Sequence, residues 1–226
     1  MRVLAFETST EACSAALWVD GEVRELFAVA PQRHAELLLP MADELLAEAG
    51  VSPRGLDGLA FGRGPGSFTG VRIASGVVQG IAFAADLPVA PVSTLQALAQ
   101  GAWRERNAAA VLAAFDARMG EVYWGAYRLG AEGLMSALVA DRLSRPEGVA
   151  LPPGAGGGWL GAGRGWGAYP EALGRALGAS LGLRDAERYP HAHDVAMLGV
   201  DLLRRGGGVA AEQAVPVYLR DRVVHV

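Results

Sequence analysis

Four glycines and a proline crowd the stretch Gly62-Arg63-Gly64-Pro65-Gly66-Ser67-Phe68-Thr69-Gly70-Val71-Arg72, which empties directly into an apolar, proline-free segment of helical length. Glycine permits positive φ and close backbone approach, and Pro65 fixes one torsion, so the chain must turn sharply here from a strand into a helix. Ser67 or Thr69 stands where a side-chain oxygen can cap that helix. Two uses fit such a turn. Free amides and the positive end of the helix dipole coincide at a helix start and can hold an anion. Alternatively, the turn binds nothing and only aims the helix.

The helix that follows, residues 69–85, has an unusual surface. Gly76, Gly80 and Ala84 fall four apart in a flat stripe, with Ile73 and Val77 beside it. Val78, Ile81, Ala82 and Ala85 cover another side, leaving Arg72, Ser75 and Gln79 as its polar face. A helix apolar nearly all round must be covered on most sides, and small residues at this spacing let another helix approach closely. Either this chain buries the helix or a partner completes the job.

Hydrophobic residues make up 51% of the 226 and charged residues 19%, with mean hydropathy +0.23. That is enough for a core and excludes intrinsic disorder. The net charge of −4, with no Lys and no run of Arg, argues against the chain gripping nucleic acid alone. A single cysteine, Cys13, excludes an internal disulfide and fits a reducing compartment; within an apolar strand-like run it reads as a buried structural thiol. The N-terminus turns acidic at Glu7, too early for a signal peptide. No segment reads as a bilayer span, 69–85 coming nearest, and the expectation is a soluble cytoplasmic protein without membrane contact.

Along the chain, residues 3–7 read as a buried strand and Thr8-Ser9-Thr10-Glu11 as a turn. Strands at 12–19 and 22–29 flank Asp20-Gly21, a strong hairpin signal. Leu38, Met41, Ala42, Leu45, Leu46 and Ala49 recur at helical spacing over 34–49, with Pro40 expected to kink that helix or mark where its regular part begins. A strand at 57–62, the helix 69–85, a strand at 88–92 and a helix from Ser93 or Thr94 to about 102 complete a first α/β lobe. A polar stretch, 103–110, leads to a hairpin of 111–116 and 121–128 around Arg118-Met119-Gly120, and to a strand at 134–140. The Pro- and Gly-rich 145–168 contains at most a short strand at 159–161, and helices are expected near 169–180 and 192–205. The domains are therefore placed at 1–103 and 104–226, with the helix at 192–205 as a candidate to pack back on the first.

Catalytic patterns are thin. His191-Ala192-His193-Asp194 lacks a companion ligand set, so histidines in solvent at a helix start are favoured over a metal centre. His34 with Glu36 and Glu44 is weaker still, since residues two apart on a helix do not face each other. Gly66-Ser67-Phe68 is not a nucleophile elbow, and there is no Walker A lysine. Asp116, at a strand end beside Ala117-Arg118, is either a functional carboxylate or half of an Asp/Arg pair closing a turn.

Three segments carry a resemblance: Leu4-Ala5-Phe6-Glu7-Thr8-Ser9-Thr10, the glycine-rich stretch through Ile73, and Phe115-Asp116-Ala117-Arg118-Met119-Gly120-Glu121-Val122-Tyr123. Together they resemble the TsaB (YeaZ) family, from residue 1 to the Pro216-Val217-Tyr218-Leu219-Arg220 tail. The resemblance implies an actin-like, sugar-kinase-like (ASKHA) two-lobed fold with mixed sheets flanked by helices. It also implies a subunit of the machinery that places a threonylcarbamoyl group on N6 of adenosine 37 in ANN-decoding tRNAs. The implied partners are a homologous TsaD-like catalytic subunit, met through the N-terminal lobes, and a TsaE-like ATPase. In the catalytic relative a His-x-x-x-His pair binds a metal; Thr94 and Leu98 occupy those places here, and Leu cannot coordinate. Glu7 stands where the family often has Asp. An older label for the relatives is M22 peptidase homologue.

A non-catalytic scaffold is thus the first expectation, needing no cofactor or metal, meeting its partner through Leu38, Met41, Leu45, Ile73, Gly76, Val77, Gly80 and Ala84. A homodimer through the same surface is expected when the partner is missing, and tRNA is met only within the complex. The rival is an ATP-dependent enzyme or metallopeptidase of the same fold. A nucleotide or anion, if taken up, is expected at Thr8, Ser9, Gly64, Gly66, Ser67, Thr69 and Asp116.

Overall fold

Three strands, β1 (Arg2–Glu7), β2 (Ala12–Val19) and β3 (Glu22–Val29), open the computed structural model, which describes residues 1–220, and pair antiparallel in chain order. Asp20 and Gly21 both take positive φ, 48° and 109°, the twist a two-residue hairpin needs. Helix α1 (His34–Ala49) follows and runs without interruption through an exposed Pro40. Next come β4 (Gly58–Gly62), α2 (Phe68–Ala85), β5 (Val89–Val92) and α3 (Thr94–Arg106). Strands β4 and β5 join β1 in parallel, giving the order β3-β2-β1-β4-β5.

The second sheet is built from β6 (Ala110–Arg118), β7 (Glu121–Leu129), β8 (Met135–Ser144), β9 (Trp159–Ala162) and β10 (Leu181–Asp185). Its order is β10-β9-β6-β7-β8, with the first three strands antiparallel in sequence and the last two parallel to β6 and β9. Read from β8, this repeats the plan of the first sheet strand for strand. Short α4 (Gly165–Ala168) and α5 (Pro170–Leu177) close its core, where Trp166 donates to the Leu112 carbonyl at 3.0 Å. Finally, α6 (Ala192–Arg204) returns to the first sheet. The chain divides accordingly into Met1–Ala97 with Pro190–Val217, and Leu98–Tyr189 with the tail from Tyr218.

Each face of the first sheet has its own packing chemistry. On one, Leu4, Phe6, Leu17, Leu59 and Phe61 meet Leu38 and Leu45 of α1 and Ala74 and Val78 of α2 in one apolar cluster. The other carries a row of alanines in register across four strands: Ala16, Ala5, Ala60 and Ala90. Helix α6 lies on that row so closely that a Cβ on Gly199 would sit 2.5 Å from the Ala60 methyl. Alternation in β1 and β4 dictates the split, because successive side chains point to opposite faces.

Several expectations need correction. Helix α3 continues to Arg106 through the polar residues read as its end; Arg104 and Arg106 lie in its last turn, where cations suit the dipole. Strand β8 reaches Ser144, well past 140. Strand β10 was not foreseen: it is a mostly exposed edge strand interrupted by Gly182, so it lacks an apolar alternation. The helix expected at 169–180 ends at Leu177, where Gly178 takes a φ of 51°.

Candidate functional site

The carboxyl ends of β1 and β4 carry Glu7-Thr8-Ser9 and the glycine-rich turn, and the two segments interlock. Ser67 N–H donates to the Ser9 carbonyl at 2.7 Å, and the Thr8 hydroxyl donates to the Gly70 carbonyl at 2.7 Å. This closeness explains the glycines. A Cβ would lie 1.8 Å from Glu7 Oε2 at Gly62, 2.5 Å from the Ser9 carbonyl oxygen at Gly66 and 1.9 Å from the Thr8 carbonyl oxygen at Gly70. Gly64 takes a φ of 102°, which other residues rarely adopt. Ser67, not Thr69, caps α2, accepting from Gly70 N–H at 3.3 Å.

Glu7 is the unexpected centre of this junction. Its carboxylate is 1% exposed; Oε1 accepts from Ser9 N–H at 2.6 Å, while Oε2 has no hydrogen-bond partner. Burial raises its pKa above the ordinary carboxylate value, and the Ser9 and Thr94 hydroxyls, the Ser9 amide and the positive field of His191 only partly oppose this. Nearby, burial and the Glu7 charge push the Cys13 thiol up to about 11, which makes it inert. In sequence Glu7 was only an acid at a strand end; its setting against Gly62 depends on strand register, which no local signal reveals.

Four of the turn's amides are occupied by the chain itself. Arg63 N–H donates to the Val92 carbonyl at 2.8 Å, Gly64 N–H to Thr94 Oγ1 at 3.1 Å, and Ser67 and Gly70 are committed as described. Thr8, Ser9, Gly64, Gly66, Ser67 and Thr69 are brought together beside this buried acid. Asp116 lies in the second unit, accepting from the Arg118 amide at 2.8 Å and pairing with its guanidinium at 3.0 Å. Tyr169 OH also donates to it at 3.3 Å. Arg118 and Met119 have φ of 62° and 58°, so this is an Asp/Arg pair closing a tight hairpin. Thr94 accepts from Gly64 N–H, and Leu98 is fully buried.

Helix α2 presents its other side outward. Val71, Ala74, Ser75, Val78 and Ala82 are buried, and Ser75 donates to the Ala214 carbonyl at 2.6 Å. Gly76, Gly80, Phe83 and Ala84 are exposed, with Ile73 and Val77 half-buried beside them. Phe83 is 85% exposed, and Phe68 at the helix start 52%. A Cβ at Gly76 or Gly80 would meet nothing within 4 Å. By length and hydropathy (1.3 over 18 residues) α2 also meets the criterion for a membrane span, contrary to the expectation from sequence; its place here is against the sheet. Leu38 and Leu45, expected at the partner surface, are buried in this chain's own core, while Met41 is half-buried. Exposed Leu39 of α1, missed in sequence, takes their place on the surface.

The histidines near α6 are half-buried. His191 stacks on Phe27 at 4.2 Å and its Nδ1 lies 3.0 Å from Glu25 Oε2, while Glu25 Oε1 accepts from His193 N–H at 3.1 Å. Glu25 thus caps α6 from β3, where a carboxylate suits the positive helix end. Ser14 Oγ accepts from Ala192 N–H at 2.9 Å in the same way. His34 anchors α1 through contacts of its Nε2 with the carbonyls of Thr10 (2.9 Å) and Ala12 (3.1 Å).

Comparison with known proteins gives one answer. Residues 28–162 match the family model TsaD, tRNA N6-adenosine threonylcarbamoyltransferase. The tRNA threonylcarbamoyladenosine biosynthesis protein TsaB of Escherichia coli K12 is 46% identical over 225 residues, spanning 99% of this chain and 96% of that one. The Bacillus subtilis TsaB is 32% identical over 143 residues, 63% of this chain and 61% of its own. YeaZ from Pseudomonas aeruginosa superposes with a TM-score of 0.88 at 50% identity, over 96% of this chain and 99% of that one. A second Pseudomonas aeruginosa crystal structure, of a protein with similarity to peptidase YEAZ, gives 0.90 at 51% identity over 97% and 99%. The two mixed sheets with flanking helices fit the actin-like ASKHA fold. The chain belongs to the TsaB family of tRNA threonylcarbamoyladenosine biosynthesis proteins.

Proposed function

We propose that this chain is a non-catalytic subunit in the synthesis of threonylcarbamoyladenosine at position 37 of ANN-decoding tRNAs, and that it supports a TsaD-like catalytic subunit seated on the outer face of α2. The observation that carries this reading is the pair of open glycines, Gly76 and Gly80. A glycine inside a helix costs about 1 kcal/mol relative to alanine, and here nothing in the chain's own packing requires the missing methyl. A second helix at close range does require it. Exposed Phe83 beside the stripe supplies the apolar area that such a contact buries.

The non-catalytic role is supported by the side chains where the catalytic relative has its metal ligands: a committed Thr94 and a buried Leu98. It is also supported by a glycine turn in which the Arg63, Gly64, Ser67 and Gly70 amides serve the chain's own carbonyls and hydroxyls. The TsaE-like ATPase and the tRNA join through the assembled complex in the cytoplasm, and without the catalytic subunit a homodimer forms over the same face. The test replaces Gly80 by Leu, which adds bulk only where the chain leaves open space. Titration calorimetry against the TsaD subunit should show affinity falling about 100-fold or more, the scale of an interface hot spot, with loss of tRNA modification in a reconstituted assay. Unchanged affinity in a folded Gly80→Leu chain would remove this face from the interface.

A further inference from the structure

Away from α2, the β6–β7 hairpin and the tail meet within the second unit. The hairpin turns through Arg118, Met119 and Gly120, with φ of 62°, 58° and 76°. Of these three successive left-handed residues, the two with side chains hold that form at an energetic cost. The ladder also slips here. Asp116 faces Val122 and Arg118 faces Glu121, so no residue of β7 stands opposite Ala117, which forms a bulge. Ala117 is buried, and a buried carbonyl passed over by the ladder needs another donor. That donor comes from the tail. Arg220 Nη2 donates to the Ala117 carbonyl at 3.1 Å and to Glu121 Oε2 at 2.6 Å, with the Arg118 carbonyl 3.5 Å away. Its Nη1 meets the Met119 sulfur. The hairpin's own Asp116 accepts from Arg118 N–H at 2.8 Å and from Tyr169 OH at 3.3 Å. Those bonds hold one side of the turn, whereas Arg220 spans it from Ala117 to Glu121.

We propose that Arg220 is a latch on this hairpin, and that the position of the tail and the conformation of the tip are one equilibrium. With the latch closed, a single guanidinium satisfies the bulge carbonyl and neutralises Glu121, and the tip keeps its left-handed form. With the latch withdrawn, both acceptors lose that donor, the strain at Arg118 and Met119 is no longer offset, and the tip opens. Whatever engages either end moves the other, by as much as its affinity differs between the two states. The closed latch fixes the exposed Arg118 and Met119 side chains in one arrangement on the surface. Because Glu121 is only part-buried, the ion pair within the latch is open to screening.

The test is hydrogen exchange at the Arg118 amide of the full chain, which the closed tip protects through Asp116. Arg220→Met keeps much of the stem and removes the donors. Arg118 exchange should then rise about tenfold or more, the worth of one charge-assisted hydrogen bond. The amides of Leu112 and Ala126, paired in the body of β6 and β7, should keep their rates. Arg220→Lys, which retains the charge without the planar fork, should fall between the two. Raising salt from about 50 mM to 500 mM should speed Arg118 exchange relative to Leu112 in the unaltered chain, and have little effect in Arg220→Met. In a Met119→Gly background, where less strain is held, Arg220→Met should open the tip less. Unchanged Arg118 exchange in a folded Arg220→Met chain overturns the latch. So does a rise shared equally by Leu112 and Ala126, which marks loosening of the whole sheet. If Arg220→Met does not fold, the lysine variant and the salt series decide, and no change at Arg118 in both overturns the proposal.

Discussion

Six glycines between positions 62 and 80 fall into two groups that the sequence writes identically and the structure separates completely. At Gly62, Gly66 and Gly70 a methyl group would strike the chain itself at 1.8–2.5 Å, against Glu7, Ser9 or Thr8, and Gly64 is held at positive φ. At Gly76 and Gly80, two turns further on, the same methyl group would touch nothing. The first group is a requirement of folding; the second is a cost to folding. Evolution can hold a glycine for either reason, and only the surroundings of the absent Cβ tell them apart.

That contrast can be broken at its strong end first. Gly70→Ala should destabilise the chain by about 3 kcal/mol, the upper range for forcing atoms into a packed site, because its neighbour is backbone and cannot swing away; urea unfolding measures it. A near-neutral result would mean the turn and the Thr8 segment separate easily. The same junction should show itself in pH dependence. Glu7 is raised in the folded state, so it holds its proton more tightly there than in the unfolded chain. Stability should therefore fall as pH rises above the ordinary carboxylate range and level off above the folded pKa, by about 1.4 kcal/mol per pH unit within that window. Glu7→Gln should flatten this slope in unfolding curves taken across pH; an unaltered slope would place its origin elsewhere.

At the weak end the sign reverses. Gly76→Ala with Gly80→Ala should stabilise the isolated chain by about 1–2 kcal/mol in total, from helix propensity and a less flexible unfolded chain, while lowering affinity for the catalytic subunit. Destabilisation by the pair would show that the chain uses these glycines itself. Ser67→Ala, between the two groups, should cost about 1 kcal/mol as a lost cap, read from the same urea curves; no change would hand the cap to Thr69 after all.

Local patterns were legible wherever one residue's neighbours in sequence are also its neighbours in space. The boundaries 34–49 of α1 follow directly from the spacing of Leu38, Ala42, Leu45 and Leu46, and the Asp20-Gly21 hairpin from turn chemistry. What periodicity could not say is which apolar residues of a helix face home. Leu38 and Leu45 looked as available to a partner as Ile73 and Val77, yet they fill this chain's core because α1 lies over β2. Pairing at long range was equally hidden. Glu25 caps α6 from 168 residues away, and no pattern near either end announces it. The shared strand plan of the two sheets was invisible for a related reason, since only β1 to β3 and β6 to β8 connect as hairpins and the remaining strands join through crossovers.

Helix α6 also bears on how the molecule is made. The alanine row Ala16-Ala5-Ala60-Ala90 is complete once residue 90 has been synthesised, but the helix that covers it begins at Ala192. On a ribosome adding residues at about 5–20 per second, the first sheet waits several seconds with one face bare while the intervening unit is translated. Alanine is the apolar side chain best suited to that interval, because its small area gives passing chains little to adhere to. The smallest hydrophobic residue thereby serves two stages of one protein's life: a wait with one face bare during synthesis, and close contact with Gly199 afterwards.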